Sequence, residues 1–158
     1  MKIALAQINP TVGALDNNSQ NIEGIIQDYS PKCDLIVFPE MCLTGYPPQD
    51  LLMDTAFIAK TAETLKNIAT KVQATPVIVG TIRQEEDKLF NTAAVLQNGV
   101  VIICRDKTHL PTYDVFDEAR YFVSADSRIP VELNIQGKPI KFGIEICEDL
   151  WDENHKTK

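Results

Sequence analysis

The sequence lacks any excess of basic residues: 15 lysines and arginines stand against 22 aspartates and glutamates, a formal charge of -7. That balance argues against nucleic acid and anionic membrane as partners. No apolar run approaches the roughly 20 residues of a membrane span. The apolar start over residues 1–6 is broken by Gln7 and Asn9, too early for an export signal, so its alternation reads as a first strand. Cysteine and histidine are scarce. Cys33, Cys42, Cys104 and Cys147 show no CxxC spacing, and only His109 and His155 could assist them, which argues against zinc or any other bound metal. Without an export signal, the expected setting is the cytoplasm, with reduced thiols. Internal repeats and low-complexity tracts are missing too, so 158 residues make one domain or part of one.

What is present is an alternation of apolar stretches. Residues 2–9 read as a buried strand ended by Pro10. Residues 16–18 can cap a helix whose Ile22, Ile25, Ile26 and Tyr29 share a face. Residues 34–40 are a short unbroken apolar run closed by Pro39 and Glu40, the pattern of a strand buried on both faces. Gly45, Pro47 and Pro48 make 41–50 a loop. Asp54 caps a second helix, with Phe57, Ile58, Leu65, Ile68, Ala69 and Val72 at helical spacing. Another apolar strand covers 76–82. Residues 89–97 and 100–105 flank Asn98-Gly99, the strongest short hairpin signal. Residues 106–128 are long and mixed, and a loop of that length is usually functional. A last strand pair, 131–135 and 139–146, surrounds Gln136-Gly137-Lys138, and the polar tail 152–158 reads as frayed. This order predicts α/β layering, with a mixed sheet covered by helices.

Three different groups share one placement. Glu40, Lys107 and Cys147 each stand at or just past the carboxyl end of an apolar β-run, the edge where α/β sheets form ligand crevices. Before Cys147, Phe142, Ile144 and Ile146 alternate as in a strand. Glu148 and Asp149 after it suit the first turn of a short helix, whose unpaired N–H groups would face an oxyanion. Singly, each group has a plain reading: a small buried thiol, a surface carboxylate, a solvated lysine. Together they make a complete acyl-transfer set. Cys147 is then the nucleophile, and Glu40 the base that takes its proton and returns it to the leaving ammonia. Lys107 favours the thiolate and, with the N–H after Cys147, polarises the carbonyl. A Cys–His pair using His109 or His155 stays open as an alternative.

Phe38-Pro39-Glu40, Lys107-Thr108-His109-Leu110-Pro111 and Ile146-Cys147-Glu148-Asp149 resemble, in order, the Glu–Lys–Cys motifs of the nitrilase, or carbon–nitrogen hydrolase, superfamily. Three longer stretches are similar to the glutamine-amidase domains of glutamine-dependent NAD synthetases. They are Leu43-Thr44-Gly45-Tyr46-Pro47-Pro48-Gln49-Asp50-Leu51-Leu52, the run from Pro111-Thr112-Tyr113 to Tyr121-Phe122, and Cys147-Glu148-Asp149-Leu150-Trp151. The resemblance implies a nitrilase-like α-β-β-α sandwich, of which residues 1–158 would be the incomplete front part. It implies hydrolysis of L-glutamine through a γ-glutamyl thioester, with ammonia passing by a tunnel to a synthetase domain. That domain would use ATP and Mg to amidate deamido-NAD, whereas the amidase part would need no cofactor. By motif, Tyr113 contacts glutamine, Glu118 supports the triad, Glu148 belongs to the substrate pocket, and Tyr46 and Trp151 to pocket or tunnel wall. Such domains pair with copies of themselves, so a homo-oligomer is expected. No Ser-Gly-Gly-rich pyrophosphate loop occurs, so the synthetase domain is expected outside these residues. Residues 123–126 also lack the glycine that family members often carry there. Two other readings stand beside this one: a stand-alone nitrilase-type amidase for another amide, and a non-catalytic fragment that only self-associates.

Overall fold

Two runs of helical period and several of period 2 sort into a sheet with helices on one face. In the computed structural model, which describes residues 1–151, the elements are β1 (Ile3–Leu5), α1 (Leu15–Tyr29), β2 (Leu35–Val37), α2 (Thr55–Lys71), β3 (Val77–Glu85), β4 (Lys88–Gln97), β5 (Val100–Asp106), β6 (Val131–Ile135) and β7 (Lys138–Phe142). The tail expected over 152–158, with His155, lies outside the described residues. No helix among them is long and apolar enough to cross a membrane.

The five-stranded sheet has the order β1-β2-β3-β4-β5. The first two pairings are parallel and the last two antiparallel. Hence β1, β2, β3 and β5 run one way and β4 the other, and the carboxyl ends of β2 and β5 fall on the same edge. Strand alternation divides the apolar residues between the faces. Ile36, Val77, Val79, Ala94 and Leu96 meet Ile22 and Ile26 of α1 and Leu65, Ile68 and Ala69 of α2. Burying each such aliphatic side chain contributes roughly 1.5–3 kcal/mol. Leu35, Ile78, Ala93 and Val95 point the other way, onto the β6–β7 hairpin through Val131, Leu133 and Ile135. The result is helix, sheet, sheet: an incomplete α-β-β-α sandwich, three layers of it among the described residues.

Local signals explain most boundaries. Asp54 caps α2 by accepting the Ala56 N–H at 2.8 Å. Asn98 (φ 52°) and Gly99 (φ 84°) close the β4–β5 hairpin with the left-handed backbone that its sequence announced. Three expectations are corrected. β1 is an exposed edge strand rather than a buried one, with Ile3 and Leu5 facing away from the helices and mostly uncovered. Residues 16–18 lie inside α1, which starts after Ala14 without a side-chain cap. There Asn18 turns inward instead, donating to Thr11 O at 2.8 Å and Leu43 O at 3.0 Å. Finally, the strand expected over 139–146 ends at Phe142, because its partner β6 pairs only that far.

Candidate active site

The site is built on the edge where β2 and β5 end. Glu40 follows β2 by three residues, on a tight turn in which Met41 adopts φ 47°. Gly80 of β3 makes room for that turn: a Cβ there would sit 2.5 Å from Met41 N and 2.7 Å from Glu40 Cα. Lys107 comes directly after β5, and its backbone N–H continues the ladder to Asn91 O at 2.8 Å. Residues opposite one another in a ladder project to the same face. The Asn91 amide and the Lys107 ammonium therefore converge.

They converge on Glu40. Lys107 Nζ lies 2.8 Å from Glu40 Oε1 and 2.9 Å from each oxygen of Glu118. Asn91 Nδ2 donates to Glu40 Oε1 at 2.6 Å and to Glu118 Oε2 at 3.4 Å. Tyr46 Oη donates to Glu118 Oε1 at 2.9 Å. Lys107 is 1% exposed and Glu118 4%. A charge so deeply buried survives only when paired. Burial alone would lower the Lys107 pKa; the charge and hydrogen bonds of Glu40, then Glu118, outweigh it and hold the ammonium above its ordinary value. The Tyr46 phenol is pushed up by burial and by its bond to Glu118, so it remains a donor.

Cys147 opens a short turn (Cys147–Trp151) rather than ending a strand, and its own φ is 46°, in the left-handed region that side chains avoid. Glu40 and Cys147 share the wall of a cavity of about 490 Å3, otherwise lined largely by apolar residues such as Val37, Phe38, Phe142 and Ile144. Lys107 acts on the thiol in the expected direction, but the net shift is upward. Partial burial raises the pKa first and Glu40 next; Lys107 lowers it, and Glu118 and Glu148 add smaller upward influences. A thiol shifted in that direction calls for a base to take its proton. The charged groups that lead in acting on the thiol among the described residues are carboxylates and a lysine.

Asp149 sets the distance between the turn and the lysine loop, and nothing in the sequence announced that role. Only 2% exposed, it accepts the Thr108 N–H, Thr108 Oγ1–H and His109 N–H on Oδ1 at 3.0, 2.7 and 2.9 Å. Its Oδ2 accepts the Ile146 N–H at 3.1 Å. One carboxylate thus ties the residues after Lys107 to those flanking Cys147. Asn91 was also missed: an Asn in an apolar strand carries no signal until the register places it beside Lys107.

Of the remaining residues singled out by sequence, Tyr113 and Glu148 meet at the surface within electrostatic reach of Cys147, with Tyr113 Oη donating to Glu148 Oε2 at 2.9 Å. Tyr113 also packs edge-on against Phe116 at 5.6 Å. Tyr46 and Glu118 line a second, smaller cavity of about 240 Å3 with Asp50, Arg120 and Tyr121. Trp151 does not join them. Its side chain is 76% exposed and borders neither cavity: the turn that sets Cys147 on the cavity wall leaves its far end in solvent. Residues 123–126 hold their path without the glycine, through Val123 N–H to Leu89 O and Ala125 N–H to Lys107 O.

A cysteine on a strained turn, a carboxylate beside it and a buried lysine on the edge of an α/β sandwich define a class of thiol-dependent hydrolase. The carbon–nitrogen hydrolase family model matches residues 2–157, and the chain belongs to that family. Among curated proteins it is 41% identical over 160 residues to the glutamine-dependent NAD(+) synthetase of a Synechocystis species, covering 96% of this chain and 28% of that protein. Among solved structures it is similar to the glutamine-dependent NAD+ synthetase of Acinetobacter baumannii in complex with ADP, at 37% identity and a TM-score of 0.86, covering 97% of this chain and 28% of that one. An amidase from a Nesterenkonia species shares the fold at 20% identity and a TM-score of 0.70, covering 89% of this chain and 54% of that one. The chain thus spans a little over a quarter of the synthetase relatives it matches.

Proposed function

We propose that this chain is the front part of the glutamine-hydrolysing domain of a glutamine-dependent NAD synthetase. The observation that carries the reading is the Glu40–Lys107–Glu118 cluster opening onto a cavity shared with Cys147. Its likeness to glutamine-dependent NAD synthetases supports it, as does the 28% of their length that the chain spans. Synthesis of NAD from deamido-NAD, with ATP and Mg, is then the work of a synthetase region, and the ADP in the Acinetobacter baumannii relative accords with that division.

The chemistry follows from the charges. Glu40 takes the proton of Cys147 as Sγ attacks Cδ of the glutamine side-chain amide, so that no free thiolate has to accumulate. The tetrahedral oxyanion collects N–H donors near the turn at Cys147. Glu40 then gives its proton to the departing nitrogen, the C–N bond breaks, and ammonia leaves a γ-glutamyl thioester. Water, deprotonated by the same carboxylate, attacks that thioester; the C–S bond breaks and the sulfur recovers its proton, releasing glutamate. Lys107, sealed from solvent, holds Glu40 in place throughout. Tyr113 and Glu148, joined at the surface near Cys147, are suited to the polar end of the amino acid, Glu148 to its ammonium.

The complete protein is expected to release ammonia from L-glutamine, and Cys147→Ala to abolish the release. Ammonia release that survives Cys147→Ala would sink the assignment. Turnover of other amides with none of glutamine would favour the stand-alone amidase instead.

A further inference from the structure

We propose that Asn91 is a positioning residue for the base, deciding which oxygen of Glu40 faces the nucleophile; the inference rests on the amidase reading above. Glu40 Oε1 receives two donors, Asn91 Nδ2 at 2.6 Å and Lys107 Nζ at 2.8 Å. An oxygen held by two strong donors has little basicity to spare, so the proton of Cys147 goes to Oε2. The orientation of the Asn91 amide is fixed by its surroundings. Turned as it is, its N–H groups meet two carboxylates, and its Oδ1, buried, has no hydrogen-bond partner among the described residues. Flipped, that acceptor would confront acceptors. The amide also spans Glu40 and Glu118, which carry the same charge and share a single ammonium. A neutral double donor holds both without changing the charge of the cluster. Asn91 itself is rigidly placed, 1% exposed in the middle of β4, where Ile82 flanks it on one side and Lys107 on the other.

The test is steady-state ammonia release from L-glutamine by the complete protein, comparing wild type, Asn91→Leu, Glu40→Gln and the double variant. Asn91→Leu is expected to lower kcat by about ten- to a hundredfold while KM stays within about threefold, as for a displaced catalytic group. On the Glu40→Gln background the same change is expected to cost less than about twofold, because the residue acts through Glu40. Circular dichroism and a thermal melt establish that the variant folds. If it does not, Asn91→Ser, smaller than the native side chain and too short to reach either carboxylate, carries the same comparison. A kcat within about twofold of wild type, or a loss repeated in full on the Glu40→Gln background, would overturn the proposal. Wild type that releases no ammonia from glutamine would instead overturn the amidase reading, and this inference with it.

Discussion

At Cys147 the neighbouring charges work against ionisation of the thiol, since Glu40, Glu118 and Glu148 outweigh Lys107. Removing the charge of Glu40 has therefore two opposite consequences. The thiolate becomes easier to form, yet the proposed proton carrier is gone. Glu40→Gln is expected to move the midpoint of Cys147 alkylation by iodoacetamide to lower pH, from a wild-type value above the ordinary thiol 9.0. It should also lower glutamine hydrolysis on the order of a hundredfold or more. A midpoint moving upward would contradict the arrangement of charges. That Glu40 meets Lys107 and shares a cavity wall with Cys147 was legible because each falls at or beyond the end of an apolar run within a recognisable motif. The state of the thiol was not. Sequence named the cation and the carboxylates singly; their net effect on the sulfur follows from folding, which brings Glu40 and Glu118 from far along the chain to act with the adjacent Glu148.

Elements place these groups, and here the linkage between β5 and the cysteine turn is the weakest point to attack. Asp149 provides the acceptors for four donors of two segments. Asp149→Ala is expected to cost on the order of 2–4 kcal/mol of stability in urea unfolding, since buried donors lose a charged partner, and to lower kcat as well. Asp149→Asn, which keeps one acceptor oxygen, should lose less. Equal stability for wild type and Asp149→Ala would show that the segments are held by something else. Strand existence was legible from alternation, strand ends were not. The run through Phe142, Ile144 and Ile146 reads as one strand, but pairing stops at Phe142 because β6 offers no further partner. Likewise the β3–β4 turn rests on Glu86 at φ 55°, a residue without the Gly or Asn signature that marked Asn98-Gly99.

Over the whole molecule, the layering was legible because helical and strand periods alternate in order. Which strands share a sheet was not, since β6 and β7 could equally have extended the main sheet rather than covering its second face. The core formed between the layers makes stability sensitive to alkaline pH. Cys42, wholly buried, has its thiol pushed by desolvation from 9.0 up to about 12. Below pH 9.0 folded and unfolded chains both carry the proton, so the contribution is fully present. Between 9.0 and about 12 only the unfolded chain has released it, and stability falls by up to about 1.4 kcal/mol per pH unit for this one group. Denaturant titrations at rising pH are expected to show that decline, flattened in Cys42→Ala; an unchanged slope in the variant would reject it.

The most direct test is peptide mapping of the complete protein, quenched in acid during turnover of L-glutamine. A γ-glutamyl group on Cys147 is the predicted result. An acyl group on Cys33, Cys42 or Cys104, or steady ammonia release with no acyl-enzyme at any cysteine, would contradict the account.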